Sequence, residues 1–134
     1  MFKKVAAILI AALLPLVAQA RVQPLTDPDS IAVPSKVGVK DVEKVVKVSL
    51  QERGWQSKDT GTGKVEGLYA KRDFQVKIEV TYNSKQVQIK YKESTGLDYE
   101  EKEGTRYIHG NYNKWVANLV KDINTRLSQA EFSK

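Results

Sequence analysis

Arg106–Leu127 reads RYIHGNYNKWVANLVKDINTRL. It opens on a dense polar and aromatic cluster, His109-Gly110-Asn111-Tyr112-Asn113, and then takes a helical period. Tyr112, Val116, Leu119, Val120, Ile123 and Leu127 fall at i, i+4, i+7, i+8, i+11 and i+15. That spacing draws one apolar stripe, the mark of a helix lying on a core. An asparagine side chain accepts from the free amides of a first helical turn, so Asn111 or Asn113 is the expected cap of a helix over about residues 112–130.

Such a stripe needs an apolar partner, and the chain supplies one upstream. Phe74, Val76, Ile78, Val80 and Tyr82 alternate strictly with Gln75, Lys77, Glu79 and Thr81, the pattern of a strand with one buried and one wet face. Asn83-Ser84-Lys85-Gln86 reads as a turn. Val87, Ile89 and Tyr91 then alternate with Gln88, Lys90 and Lys92 in a second strand. Centring the turn on Ser84 and Lys85 places Tyr82 opposite Val87, Val80 opposite Ile89 and Ile78 opposite Tyr91. Glu79 then pairs with Lys90 on the wet side. A slip of one residue would bury lysines, which sets the register firmly.

Before these strands, Trp55–Lys58 and Val65–Arg72 read as two more, joined by the turn Thr60-Gly61-Thr62-Gly63. Val42, Val45, Val46, Ser49 and Leu50 recur at helical spacing, predicting a helix over about residues 40–53. Asp41 is its expected cap, and Gly54 stands where a left-handed C-terminal residue belongs. Residues 21–38 carry Pro24, Pro28 and Pro34 and read as an extended, partly mobile leader, with Ile31-Ala32-Val33 as a short edge strand. Glu93–Gly110 reads as an irregular loop pinned by Leu97, Tyr99 and Ile108.

The expected fold is therefore α+β: helix, four-stranded antiparallel meander, long loop, helix, as one domain over residues 39–134. Two layers, with both helices on one sheet face, satisfy all three apolar surfaces. A helix-grip arrangement, the sheet curved around the last helix, is a close variant.

The chain has 134 residues. Lys3 and Lys4 precede an almost wholly apolar run, Val5–Val17, and Ala18-Gln19-Ala20 is a small-x-small cleavage site. This is the layout of a secretory signal peptide over residues 1–20. As a bilayer anchor the run is short, since a span takes roughly 20 residues, and Pro15 interrupts it. The expectation is a periplasmic or secreted protein with no membrane span after cleavage. Without Lys3 and Lys4, the 22 basic residues become 20 against 16 acidic, a net charge of +4. The two signs are interleaved, a weaker footprint than nucleic-acid binding usually leaves. The sequence holds no cysteine, so disulfides, thiol nucleophiles, cysteine metal sites and lipid attachment at a cysteine are excluded.

Tyr91-Lys-Glu-Ser94-Thr-Gly-Leu97-Asp-Tyr99 and Ile108-His109-x-Asn111-Tyr112-Asn113-x-Trp115-Val116-x-Asn118-Leu119 together resemble a family of small secreted bacterial proteins and lipoproteins of unknown function. The Arg53-Gly54-Trp55 turn fits it as well. The resemblance covers most of residues 40–127 and implies a shared fold and surface, not a chemistry. The sequence departs from the pattern at Gly96, where relatives carry asparagine, and in lacking the lipid-bearing cysteine.

His109 is the sole histidine and so the one side chain with an ordinary pKa near neutrality. A small enzyme using His109 is one reading; the plainer one is that its ring bonds Ser94, Tyr99 or a carbonyl and fixes the loop. Ser94, His109 and Asp98 supply the residue types of a hydrolytic triad, but no G-x-S-x-G elbow accompanies them. Glu100, Glu101 and Glu103 read as solvated charge, and no metal or other cofactor is expected. Thr60–Lys64 lacks the spacing of a phosphate loop. Asn111, Asn113 and Trp115 are richer than a cap requires, and exposed aromatics beside amides bind sugars, peptide ends or carboxylates. The candidate binding surface is thus Ser94, Tyr99, His109, Asn111, Asn113 and Trp115. Its expected partner is an envelope protein or a small ligand in a non-enzymatic binding module. A further alternative is an electrostatic binder of anionic envelope polymers through Lys77, Lys90 and Lys92.

Overall fold

The computed structural model describes residues 21–134; the expected signal peptide at residues 1–20 lies outside the described residues. In chain order the elements are β1 (Val22–Pro24), β2 (Ile31–Ala32), α1 (Val39–Glu52), β3 (Gln56–Gly61), β4 (Lys64–Lys71) and β5 (Phe74–Tyr82). They are followed by β6 (Gln86–Thr95), β7 (Glu100–Lys102), β8 (Thr105–His109) and α2 (Gly110–Phe132). The fold is α+β, with two helices and antiparallel sheets among the described residues.

Alternation places β5 against β6 in the register it predicts: Tyr82 faces Val87, Val80 faces Ile89, Ile78 faces Tyr91 and Glu79 faces Lys90. One set of side chains, Val76, Ile78, Val80, Val87 and Ile89 with Val65 of β4, is buried. The apolar stripes of both helices, Val42, Val45, Val46 and Leu50 on α1 and Val116, Leu119, Ile123 and Leu127 on α2, join these residues in one core cluster. The valine-rich α1 gains its stability from this packing rather than from propensity. Gly54 has φ +85°, and the backward bonds Gly54 N–H to the Gln51 carbonyl and Trp55 N–H to the Leu50 carbonyl close the helix there. Asp41 is not the cap of α1. Gly38 holds that position with no side-chain bond, and Asp41 sits in the first turn, paired with Lys134 at 2.8 Å.

The four-stranded meander is corrected in two ways. The main sheet has five strands in the order β2-β6-β5-β4-β3, and β1, β8 and β7 form a separate three-stranded sheet. The supposed loop 93–110 therefore contains the end of β6 and a hairpin, β7 with β8. The leader is equally ordered. β1 pairs along β8 from Val22 opposite His109 to Pro24 opposite Tyr107, and β2 pairs with the start of β6. Between them Asp27 accepts the Tyr91 amide at 2.9 Å and meets Arg106 at 3.4 Å. Leu25, Ile31 and Val37 are buried. Residues 21–37 thus form a strap that covers the outer edge of β6 and joins it to the small sheet. An uncovered β6 would leave backbone donors and acceptors without partners.

The register of β5 and β6 shifts between Lys77 and Ile78, a bulge on the β6 side at Lys92. Beyond it Ser94 faces Val76, so Ser94 and Tyr91 share the inward side. The turn that follows passes close over β5. At Gly96, φ is +77° and an added Cβ would lie 2.2 Å from the Asp73 carbonyl oxygen. A side chain at this position therefore requires a backbone shift. Gly104 has φ +79° and open space around it. We expect Gly104→Ala to cost about 1 kcal/mol, the strain of a left-handed alanine, and Gly96→Ala clearly more than that. Chemical denaturation of the two variants measures the difference, and equal costs would refute the close approach at Gly96.

Candidate functional site

The sequence-predicted site residues take part in three sets of contacts. His109 ends β8, with its backbone N–H donating to the Leu97 carbonyl at 2.8 Å, and its Nδ1 accepts the Asn111 amide at 3.1 Å. His109 is therefore the N-cap of α2, which begins at Gly110, ahead of the expected start. Asn111 lies in the first turn and is exposed. Asn113 reaches back to the strap, donating to the Gln23 side chain at 3.3 Å and to the Pro24 carbonyl at 3.2 Å. The expected cap roles of Asn111 and Asn113 are corrected accordingly. The cause is the pairing of β8 with β1, which delivers the chain to the helix start two residues early.

Ser94 and Tyr99 belong to a second group. Ser94 Oγ lies 2.7 Å from the Tyr91 hydroxyl. Tyr99 stacks on Tyr91 with ring centroids 4.8 Å apart and planes 13° from parallel, and Tyr91 meets Tyr112 edge-on at 5.5 Å. Burial, with the nearby Asp27 carboxylate, holds the Tyr112 hydroxyl well above its ordinary pKa. Leu97 and Ile108 are buried as expected, while Tyr99 stays exposed on one side.

Trp115 belongs to a third group, and here the side chains open onto a cleft. Its ring stacks on Phe74 (5.0 Å, 21°) and meets Tyr69 edge-on (5.1 Å, 76°). Tyr69 in turn stacks on Trp55 at 5.2 Å, and the Lys71 ammonium sits 5.3 Å from the Tyr69 ring centre. Arg53, Trp55, Tyr69, Trp115 and Asn118 line a cleft of about 170 Å³. Arg53, just past α1, is held by two bonds to Asp122 of α2, Nε to Oδ2 at 2.7 Å and Nη2 to Oδ1 at 3.1 Å. The Arg53 guanidinium pulls the Asp122 carboxyl below its ordinary pKa, against a smaller opposing effect of burial.

Tyr69, Phe74, Arg53, Asn118 and Asp122 were missed as site residues in the sequence, although part of the signal was there. Tyr69 follows Val65 and Gly67 on the inward parity of β4, and Phe74 opens the inward set of β5. Trp115, Asn118 and Asp122 lie at i, i+3 and i+7, along one side of α2. What could not be read was that Arg53 and Trp55 reach the same place.

On the open face of the sheet, Lys92 pairs with Glu66 at 2.9 Å and Lys77 with Glu93 at 3.3 Å. Two of the three lysines expected to bind polymers therefore already have carboxylate partners. Among the described residues no cluster of three or more histidine, aspartate or glutamate side chains is placed to hold a metal ion. No described helix is long and apolar enough to cross a membrane. Comparison with family models, curated proteins and solved structures finds no match to this chain.

Two expectations follow from this geometry. His109→Ala should lower stability by about 1 kcal/mol by removing the cap, and His109→Asn should restore most of it, because asparagine is among the strongest caps. Equal losses in the two variants would mean that the ring is needed for something other than its acceptor. Asp122 titrates below its unfolded value, so its contribution is present above the ordinary aspartate range and is lost as pH falls through the folded pKa. The melting temperature should thus fall from about pH 5 downward, through and below the ordinary aspartate pKa of 3.8, and fall less in Asp122→Asn. An identical acid profile in that variant would show that the Arg53 pair does not couple to folding.

Proposed function

We propose that this protein is a non-enzymatic binding module of the bacterial cell envelope, secreted or periplasmic, which captures its partner in the cleft between the end of α1 and the first turns of α2. The signal-like residues 1–20 and the resemblance to small secreted proteins support the location. One observation carries the binding reading. Rings from four parts of the chain, Trp55, Tyr69, Phe74 and Trp115, converge beside a guanidinium and an amide.

Packing alone does not call for that arrangement. The core is mostly aliphatic, with Trp55 and Tyr112 as its buried rings, whereas Tyr69, Phe74 and Trp115 are only half-buried at its rim. Amphipathic rings at a rim, with polar groups fixed among them, are the usual furniture of a recognition site. His109 and Asn113 have a different part in this reading: His109 caps α2 and Asn113 ties its first turn to the strap. The reading that makes His109 a catalytic base is less favoured, because its Nδ1 lone pair is engaged by the helix amide.

Immobilised chain covering residues 21–134, exposed to a soluble envelope extract with proteins, glycans and small molecules all assayed, should retain a component that Trp115→Ala releases by roughly tenfold or more. His109→Ala should retain it nearly unchanged. Loss in the His109 variant with retention in the Trp115 variant would place the surface on the β8–α2 corner instead and refute the cleft.

A further inference from the structure

We propose that the cleft recognises one neutral sugar ring, a hexopyranose unit of a glycan, an assignment that rests on reading the cleft as the binding site. Size limits the candidates first. At about 170 Å³ the cleft is well under the roughly 300 Å³ at which pockets for drug-sized ligands begin, so it admits a single ring.

The walls and the polar groups then select among rings. Trp55, Tyr69 and Trp115 line the space; Trp55 is buried behind Tyr69, so the half-buried Tyr69 and Trp115 are the rings left to attract the polarised C–H bonds along one side of a pyranose. The polar set is mixed in a way that suits hydroxyls. Arg53 has five N–H donors and gives Asp122 two of them. The Asn118 amide offers two donors and an acceptor. A sugar hydroxyl both donates and accepts, so it can use every one of these groups.

Charge argues the same way. A free arginine on an aromatic wall would select a carboxylate or phosphate through bidentate pairing. Here the fork is already matched by Asp122 at 2.7 and 3.1 Å, and the pair is close to neutral as a unit. An anion entering the cleft would compete with a carboxylate already in place; a cation would face the guanidinium. Lys71 stands over Tyr69, and Lys121 and Arg126 act on Asp122 from α2, but none of the three lines the cleft. A neutral, hydroxyl-rich ring meets none of these penalties.

Trp55 and Trp115 are the chain's two tryptophans and both line the cleft, so intrinsic fluorescence reports on it directly. Chain covering residues 21–134 would be titrated with neutral oligosaccharides of glucose, galactose and N-acetylglucosamine. Parallel titrations would use a uronic-acid oligosaccharide and a tyrosine-containing tripeptide. We expect a saturable emission change with at least one neutral oligosaccharide and little dependence on salt. Asn118→Ala and Trp115→Ala should each weaken it by roughly tenfold. Trp115→Phe, which keeps a ring should the alanine variant fail to fold, should weaken it less. Saturation by the uronic acid alone, with affinity collapsing at high salt, would overturn the neutral-sugar assignment and leave the cleft as a binding site. Saturation by the tripeptide alone would do the same. No saturable response to any neutral oligosaccharide would overturn the sugar assignment, and retention of an extract component by Trp115→Ala would overturn the cleft as well.

Discussion

Val76, Ile78, Val80, Val87 and Ile89 put five branched side chains on one side of β5 and β6, with Lys77, Glu79 and Lys90 on the other. Each of these apolar groups gains about 1.5–3 kcal/mol by leaving water, and none can do so without something to cover it. Each helix has a single apolar stripe with the same need. Their common burial in one cluster fixes the positions of α1 and α2 relative to the strands. The rest follows from that placement. The C-terminal end of α1 comes close enough to the middle of α2 for Arg53 to grip Asp122, and Ser49, buried on α1, accepts from Arg126 at 3.4 Å.

Period-two and period-3.6 patterns are written into consecutive residues, which is why the β5–β6 register, both helices and the turn at Gly54 could be read in advance. The strap could be read only at its edge strand, Ile31–Ala32. Its backbone bonds go to β8 and β6, far along the chain, and its own residues hold three prolines and no alternation. A strand of three residues such as β1 owes its form to the partner that receives it rather than to propensity. The bulge at Lys92 had the same effect on Ser94. Counting by twos from Tyr91 turns Ser94 outward, and the extra residue turns it back in beside the Tyr91 hydroxyl.

The candidate site was legible in part for a related reason. Residue types announced that the start of α2 was unusual, and Trp115 was among those picked out. Types alone do not say which groups hold the fold and which are left over. His109, Asn113 and Ser94 each turned out to have a structural partner nearby: a helix amide, the strap and a tyrosine hydroxyl. Polar groups at a junction between two sheets and a helix are obliged to find such partners, because that is where backbone ladders end.

Trp115 is different because no such obligation explains its surroundings. A ring on the flank of a helix can be covered by one neighbour; this one is met by Phe74 and Tyr69, with Trp55 behind Tyr69. Those rings come from β5, β4 and the segment after α1, so the cluster exists only because the core has already set those elements against α2. The Arg53–Asp122 pair then acts at its border, across the same two helices. An ion pair at a half-exposed position adds little to stability by itself. Its more consequential effect is on what the cleft selects, because it gives a guanidinium a fixed direction and cancels most of its charge at the place where the rings stop. Shape is thus supplied by the apolar core, and polarity by one neutralised pair. A ligand suited to both has an apolar face and a hydroxylated edge.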